Sequence, residues 1–270
     1  MPKDTFEDAV NRAWDTIGEG DFEAAAAAMR RVSRGDRRHP EYRFLMAVLL
    51  LEDGDAPRAL EELAACGGQV EDAALHTYYG SLALYSAARF EEAETKLREL
   101  EPTDLGPGLV EYHLAVVLEH LGRKEEAEGC YAAAHAADPD AYPLPLRLTA
   151  TEFDQAMNRA RAKLPRNLRD RLDEIPVIVD ELPPREILTQ IEKEVLAPDI
   201  FGLFVGTNLH DESVFEVPGL PAAIYIFQRN LERACRTREE LVSEVATTLY
   251  HELGHYLGLE EDGLRERGID

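Results

Sequence analysis

Small residues recur at a fixed interval through the first half of the chain. Aligning "GEGDFEAA" (18–25), "EDGDAPRA" (52–59), "SAARFEEA" (86–93) and "HLGRKEEA" (120–127) sets Ala25, Ala59, Ala93 and Ala127 34 residues apart. Ala13, Ala47, Ser81 and Ala115 keep the same interval, and Met29, Leu63, Leu97 and Tyr131 hold the next large-residue position. A period of this length marks a helix–turn–helix unit that cannot bury its apolar face alone and must stack on its neighbours. The pattern predicts four helix pairs over about residues 5 to 140, the first two matching the pattern less closely.

Beyond Pro139 the pattern changes. Three prolines in "DPDAYPLPLRLT" (138–149) stop the last unit, and the expected domains are residues 1–145 and 146–270. In the second, "VIVD" (177–180), "GLFVG" (202–206) and "AIYIF" (223–227) are short β-branched or aromatic runs bounded by Pro and Gly, which predicts strands. The stretch "TNLHDESVFEVPGLP" between the last two is too long for a hairpin turn and reads as a loop, a length often put to functional use. The 34-residue units resemble the tetratricopeptide repeat. That resemblance implies an all-α solenoid over 1–145 whose concave face takes a peptide or a protein partner, with a purely structural spacer or dimer surface as the alternative.

Near the end of the chain, Thr237-Arg238-Glu239-Glu240 forms a capping box, and Leu241, Val242, Val245, Leu249, Leu253 and Leu257 then recur with helical spacing. A second stripe, Glu244, Thr248, His251 and His255, is expected to face away from the apolar one. It carries His251-Glu252-x-x-His255. Residues at i and i+4 stand one above the other on a helix, so both imidazoles can reach one tetrahedral zinc ion. Glu252 projects about 100° further round, where it can accept a proton from a water the ion has acidified. Gly254 removes a side chain within the motif, for the site or for close packing, and Gly258 is a natural helix stop after which the chain can turn back.

Catalytic zinc sites have three protein ligands and one open position. Counted as His251-Glu252-x-x-His255-x-x-Gly258-x-x-Glu261, the frame matches the metzincin spacing with a carboxylate in place of the third histidine. Glu261 is therefore the candidate third ligand. Glu260, Asp262, Glu266, His210 and water stand as alternatives.

Together "FDQAMNRARAKLP" (153–165), the three strand-like runs and the capped motif helix resemble the minimal zincins, a bacterial family of small metallopeptidase-like domains. The resemblance covers residues from about 150 to 270 and implies a compact α+β zincin-like fold, a bound divalent metal, peptidase activity and an acidic residue at the position of Glu261.

Composition narrows the partners. With 53 acidic and 29 basic residues the formal net charge is −24, which argues against phosphate-backbone binding and so against nucleic acid. No apolar run is long enough for a membrane span, and "MPKDTFEDAVNRAW" lacks the basic and apolar regions of a signal peptide, so the expected location is cytoplasmic. Cys66, Cys130 and Cys235 are scattered and imply no disulfide framework. His113 and His120 decorate a helix surface on this reading.

Two functions of different class follow. One is a zinc-dependent metallopeptidase in which His251, His255 and Glu261 hold one Zn2+, Glu252 activates water and the repeats recruit substrate. The other is a non-catalytic interaction protein whose zincin domain serves structure or metal-dependent docking.

Overall fold

The computed structural model describes residues 5–67, 69–101, 104–189, 196–207, 213–215 (backbone) and 220–259. By its contacts the chain divides into two units, Met1–Tyr142 and Pro143–Asp270.

In the first unit α1 (Phe6–Gly18) packs on α2 (Phe22–Arg30), α3 (Pro40–Glu52) on α4 (Ala56–Cys66), α5 (Ala73–Ser86) on α6 (Phe90–Leu97) and α7 (Leu109–His120) on α8 (Lys124–Ala137). Each pair also touches the next, through α2 and α3, α4 and α5, and α6 and α7. The small residues of the 34-residue pattern lie where helices meet: Ala13, Ala25, Ala47, Ala59, Ala93, Ala115 and Ala127 are all 0% exposed. Ser81 at the same position as Ala47 donates its hydroxyl to the Tyr78 carbonyl at 2.6 Å, which satisfies the one polar group in that row. Tyr131, where the other units carry Met or Leu, is buried and donates to the buried Glu119 carboxylate at 2.8 Å.

The period also appears in the backbone. Gly20, Gly54, Ala88 and Gly122 close the turn within each pair with φ of 80°, 78°, 55° and 72°, the left-handed region that favours glycine. Space around Gly54 is open, so Gly54→Ala should cost about 1 kcal/mol through strain alone. Ala88→Gly relieves the same strain but loses a buried methyl and loosens the unfolded chain, so its net effect should stay within about 0.5 kcal/mol. Urea denaturation of the two variants checks the contrast.

The second unit runs α9 (Ala150–Lys163), α10 (Arg166–Leu172), β1 (Val177–Asp180), α11 (Arg185–Thr189), β2 (Gly202–Thr207), β3 (Ser213–Phe215), β4 (Ala223–Phe227), α12 (Gln228–Ala234) and α13 (Arg238–Tyr256). The strand order is β1-β4-β2-β3, with β1 parallel to β4 and β2 antiparallel to both β4 and β3. Side chains alternate across the sheet as a period of two requires. Phe204, Ile224 and Ile226 join Phe153, Ala156 and Ala160 of α9 and Leu241, Val242, Val245, Leu249 and Leu253 of α13 in one core. Leu203, Val205, Ala223, Tyr225 and Phe227 pack with Ile187 of α11 on the other face. The sheet is thus covered on both sides.

The loop expected between β2 and β4 is corrected here: Ser213–Phe215 pair with Gly206 and Thr207 as a strand. Five residues separate β2 from β3, within the range of hairpin connections.

The start of the unit is tied to α12. Leu146 N–H donates to the Glu232 carbonyl at 2.9 Å, and Leu148 N–H donates to Glu232 Oε1 at 2.9 Å. Gln228 Nε2 donates to the same Oε1 and to the Leu148 carbonyl, while Arg229 and Arg147 approach Oε2 at 3.2 and 3.5 Å. Glu232 is 0% exposed.

A second tie joins α9 to α13. Thr149 and Glu152 form a capping box at the start of α9, and Arg238 Nη2 donates to Glu152 Oε1. The backbone and hydroxyl bonds from Thr149, with the Arg238 guanidinium, hold the Glu152 carboxyl down at about 2, against its ordinary 4.5. A depressed folded-state value means this stabilisation is present above the unfolded value and is lost as pH falls toward 2. Acid titration of unfolding should therefore show less loss in Glu152→Gln than in wild type between about pH 4.5 and pH 2.

Candidate metal centre

The motif sits in the last turns of α13. Thr237 caps the helix by accepting from the Glu240 N–H at 3.2 Å, and the Thr237 N–H donates back to the Glu240 carboxylate at 3.3 Å. Leu241, Val242, Val245, Leu249 and Leu253 are buried, so the apolar stripe read from the sequence is the one that meets the core. At the other end, Gly258 has φ 82°. Its N–H donates to the His255 carbonyl and the Leu259 N–H to the Gly254 carbonyl, both at 3.0 Å. These are the paired bonds of a Schellman cap, which ends the helix and redirects the chain.

His251 and His255 are half-buried, with rings edge-to-face at 4.8 Å between centroids. Their Nε2 atoms lie 3.1 Å apart. Two zinc–nitrogen bonds of about 2.05 Å spanning that gap would meet at about 100°, and opening to the tetrahedral angle takes the gap only to about 3.3 Å. The spacing of this pair suits two positions of a tetrahedral zinc site without a change of helix geometry.

Glu252 is differently placed. It is 7% exposed, against β2, and its Oε2 accepts the Phe204 N–H at 2.7 Å. Phe227 N–H bonds to the Phe201 carbonyl, and with Phe204 opposite Ile224 the alternation of the antiparallel ladder turns the Phe204 N–H away from β4. The β2–β3 register begins only at Gly206, and the carboxylate takes the donor on that edge.

The expected polar stripe is corrected in one respect. Thr248 is buried at 6% and faces Gly202 beside Glu252: a Cβ built on Gly202 would stand 2.6 Å from Thr248 Cγ2, 3.0 Å from Glu252 Cγ and 3.1 Å from the Tyr225 carbonyl. Positions 248 and 252 point about 60° round the helix from 251 and 255, enough to send one pair onto the sheet and leave the other half-buried beside it. Glycine within a strand signals a close backbone approach, and Gly202 in "FGLFVG" was that signal. The exposed-face reading of His113 and His120 is also refined: His113 meets Tyr78, and His120 stacks on Phe90 at 4.4 Å and bonds to Tyr85.

His210, Glu260, Glu261, Asp262 and Glu266 lie outside the described residues. Among the described residues no third His, Cys, Asp or Glu gathers with the histidine pair, and no helix is long and apolar enough to cross a membrane. No curated protein matches the chain. Residues 172–269, from the end of α10 through α13 and beyond, match the family model of the zincin-like metallopeptidases, which identifies a metallopeptidase-like domain in the C-terminal unit.

Proposed function

We propose that the C-terminal unit is a zinc-dependent peptidase domain, and the observation that carries this reading is the 3.1 Å separation of His251 Nε2 and His255 Nε2. Bound zinc supplies Lewis acidity and acidifies a water to a pKa of about 7. His251 and His255 hold the ion through Nε2. Glu252 is the general base, one residue beyond a ligand and fixed against β2. Glu261 is the third ligand, since it stands at the metzincin spacing from the two histidines with a carboxylate in place of the third histidine, and the Schellman cap ends the helix at Gly258, before the acidic run begins. The substrate is a peptide or an unfolded protein.

The first unit serves, on this reading, as a tetratricopeptide-like solenoid that recruits the substrate or a partner protein. Its support is the 34-residue recurrence of buried small residues and of left-handed turn residues. The three cysteines are free, and burial pushes the Cys66 and Cys235 thiols up to about 11, which keeps them protonated and poorly nucleophilic.

Zinc affinities of Glu260→Ala, Glu261→Ala and Asp262→Ala test the ligand set. Loss of an order of magnitude or more in Glu261→Ala alone is the expected result; equal affinities in all three would remove Glu261 from the site.

A further inference from the structure

Nothing in the motif itself explains how Glu252 is held. A glutamate on a helix surface samples several rotamers, whereas a general base must stand within hydrogen-bond reach of the proton it takes. Two features of β2 restrict it. Gly202 leaves α13 free to settle until Thr248 Cγ2 and Glu252 Cγ occupy the volume that any Cβ at 202 would need. The helix and strand are then close enough for the Phe204 N–H to bind Glu252 Oε2 at 2.7 Å, a short charge-assisted bond. We propose that Gly202 and the Phe204 backbone amide are positioning elements for Glu252, the first setting the depth of the helix on the strand and the second fixing the carboxylate. This inference rests on Glu252 acting as the base.

The imidazoles lie on the adjacent face, and the three atoms nearest a Cβ at Gly202 belong to Thr248, Glu252 and Tyr225. Displacing α13 from β2 should therefore disturb Glu252 more than the zinc affinity of the pair. Gly202→Ala alone risks misfolding, because the tightest contact is 2.6 Å. Gly202→Ala/Thr248→Ser removes the methyl at that contact and keeps the hydroxyl, which donates to the Glu244 carbonyl at 2.9 Å. The Glu252 Cγ and Tyr225 carbonyl contacts remain, so the double variant should fold while holding the carboxylate off Phe204.

The test records the Phe204 amide proton by NMR on metal-free full-length protein, for wild type, Thr248→Ser, Glu252→Gln and Gly202→Ala/Thr248→Ser, with zinc affinity and casein hydrolysis measured in parallel. The amide proton should lie downfield in wild type and Thr248→Ser. It should move upfield in Glu252→Gln, where a neutral acceptor replaces the carboxylate, and in the double variant. The double variant should keep zinc affinity within about threefold and lose about 10²-fold in hydrolysis, the usual cost of misplacing a reacting group by about 1 Å. An unmoved Phe204 resonance in either variant, or hydrolysis by the double variant within twofold of wild type, would overturn the proposal. Should wild type bind zinc without hydrolysing anything, the peptidase reading fails and the amide shifts alone decide whether β2 positions Glu252.

Discussion

Glu252→Gln should retain zinc and lose hydrolysis of unfolded protein by a factor of about 10² to 10⁴, the range expected for removing a general base. The amide preserves the shape that fills the space beside Gly202 and still offers an oxygen to the Phe204 N–H, so α13 should keep its place on the sheet. The histidine pair, on the neighbouring face, keeps its spacing. What disappears is the basic oxygen. Steady-state hydrolysis combined with zinc titration reads both quantities on one preparation. Unchanged turnover would show that Glu252 is a structural carboxylate capping a strand edge, and loss of zinc would show that it belongs to the ligand set.

Glu232→Ala should destabilise the C-terminal unit by about 3–5 kcal/mol, the usual penalty for breaking a buried charge network by removing one partner. The carboxylate is 0% exposed. Its removal strands the Leu148 N–H, takes one of the two acceptors of Gln228 Nε2, and removes the counter-charge that Arg229 and Arg147 share. Glu232→Gln keeps an acceptor for Leu148 and should fall between wild type and Ala. Chemical denaturation measures the series; a loss below about 1 kcal/mol in the Ala variant, the level of an exposed pair, would mean the network contributes little.

Local periodicity made much of this architecture readable. The 34-residue interval identified the residues that are fully buried between helices, because a repeated unit meets the same packing constraint each time. Three of the four strands were visible as β-branched and aromatic runs, and the Thr237–Glu240 capping box fixed the start of the motif helix. Contacts between distant segments were not readable in the same way. The strand at Ser213–Phe215 depends on pairing with β2 more than on its own three residues. The tie between Glu232 and Leu148 spans 84 positions, and that between Glu252 and Phe204 spans 48. Thr248 and His251 share a stripe on a helical projection, yet a turn of about 60° sends one to the sheet and leaves the other at the site. For the same reason the spacing of the motif specified the histidine pair well and said little about what holds the base.

Elemental analysis of purified full-length protein, beside His255→Ala, shows whether the histidine pair holds zinc. About one zinc per chain is expected in wild type, from three ligands closing one site, with loss of that zinc in His255→Ala and helical content unchanged. A wild-type protein that takes up no zinc when supplied with it, or a His255→Ala protein that binds it as tightly as wild type, would show that the histidine pair is not a zinc site.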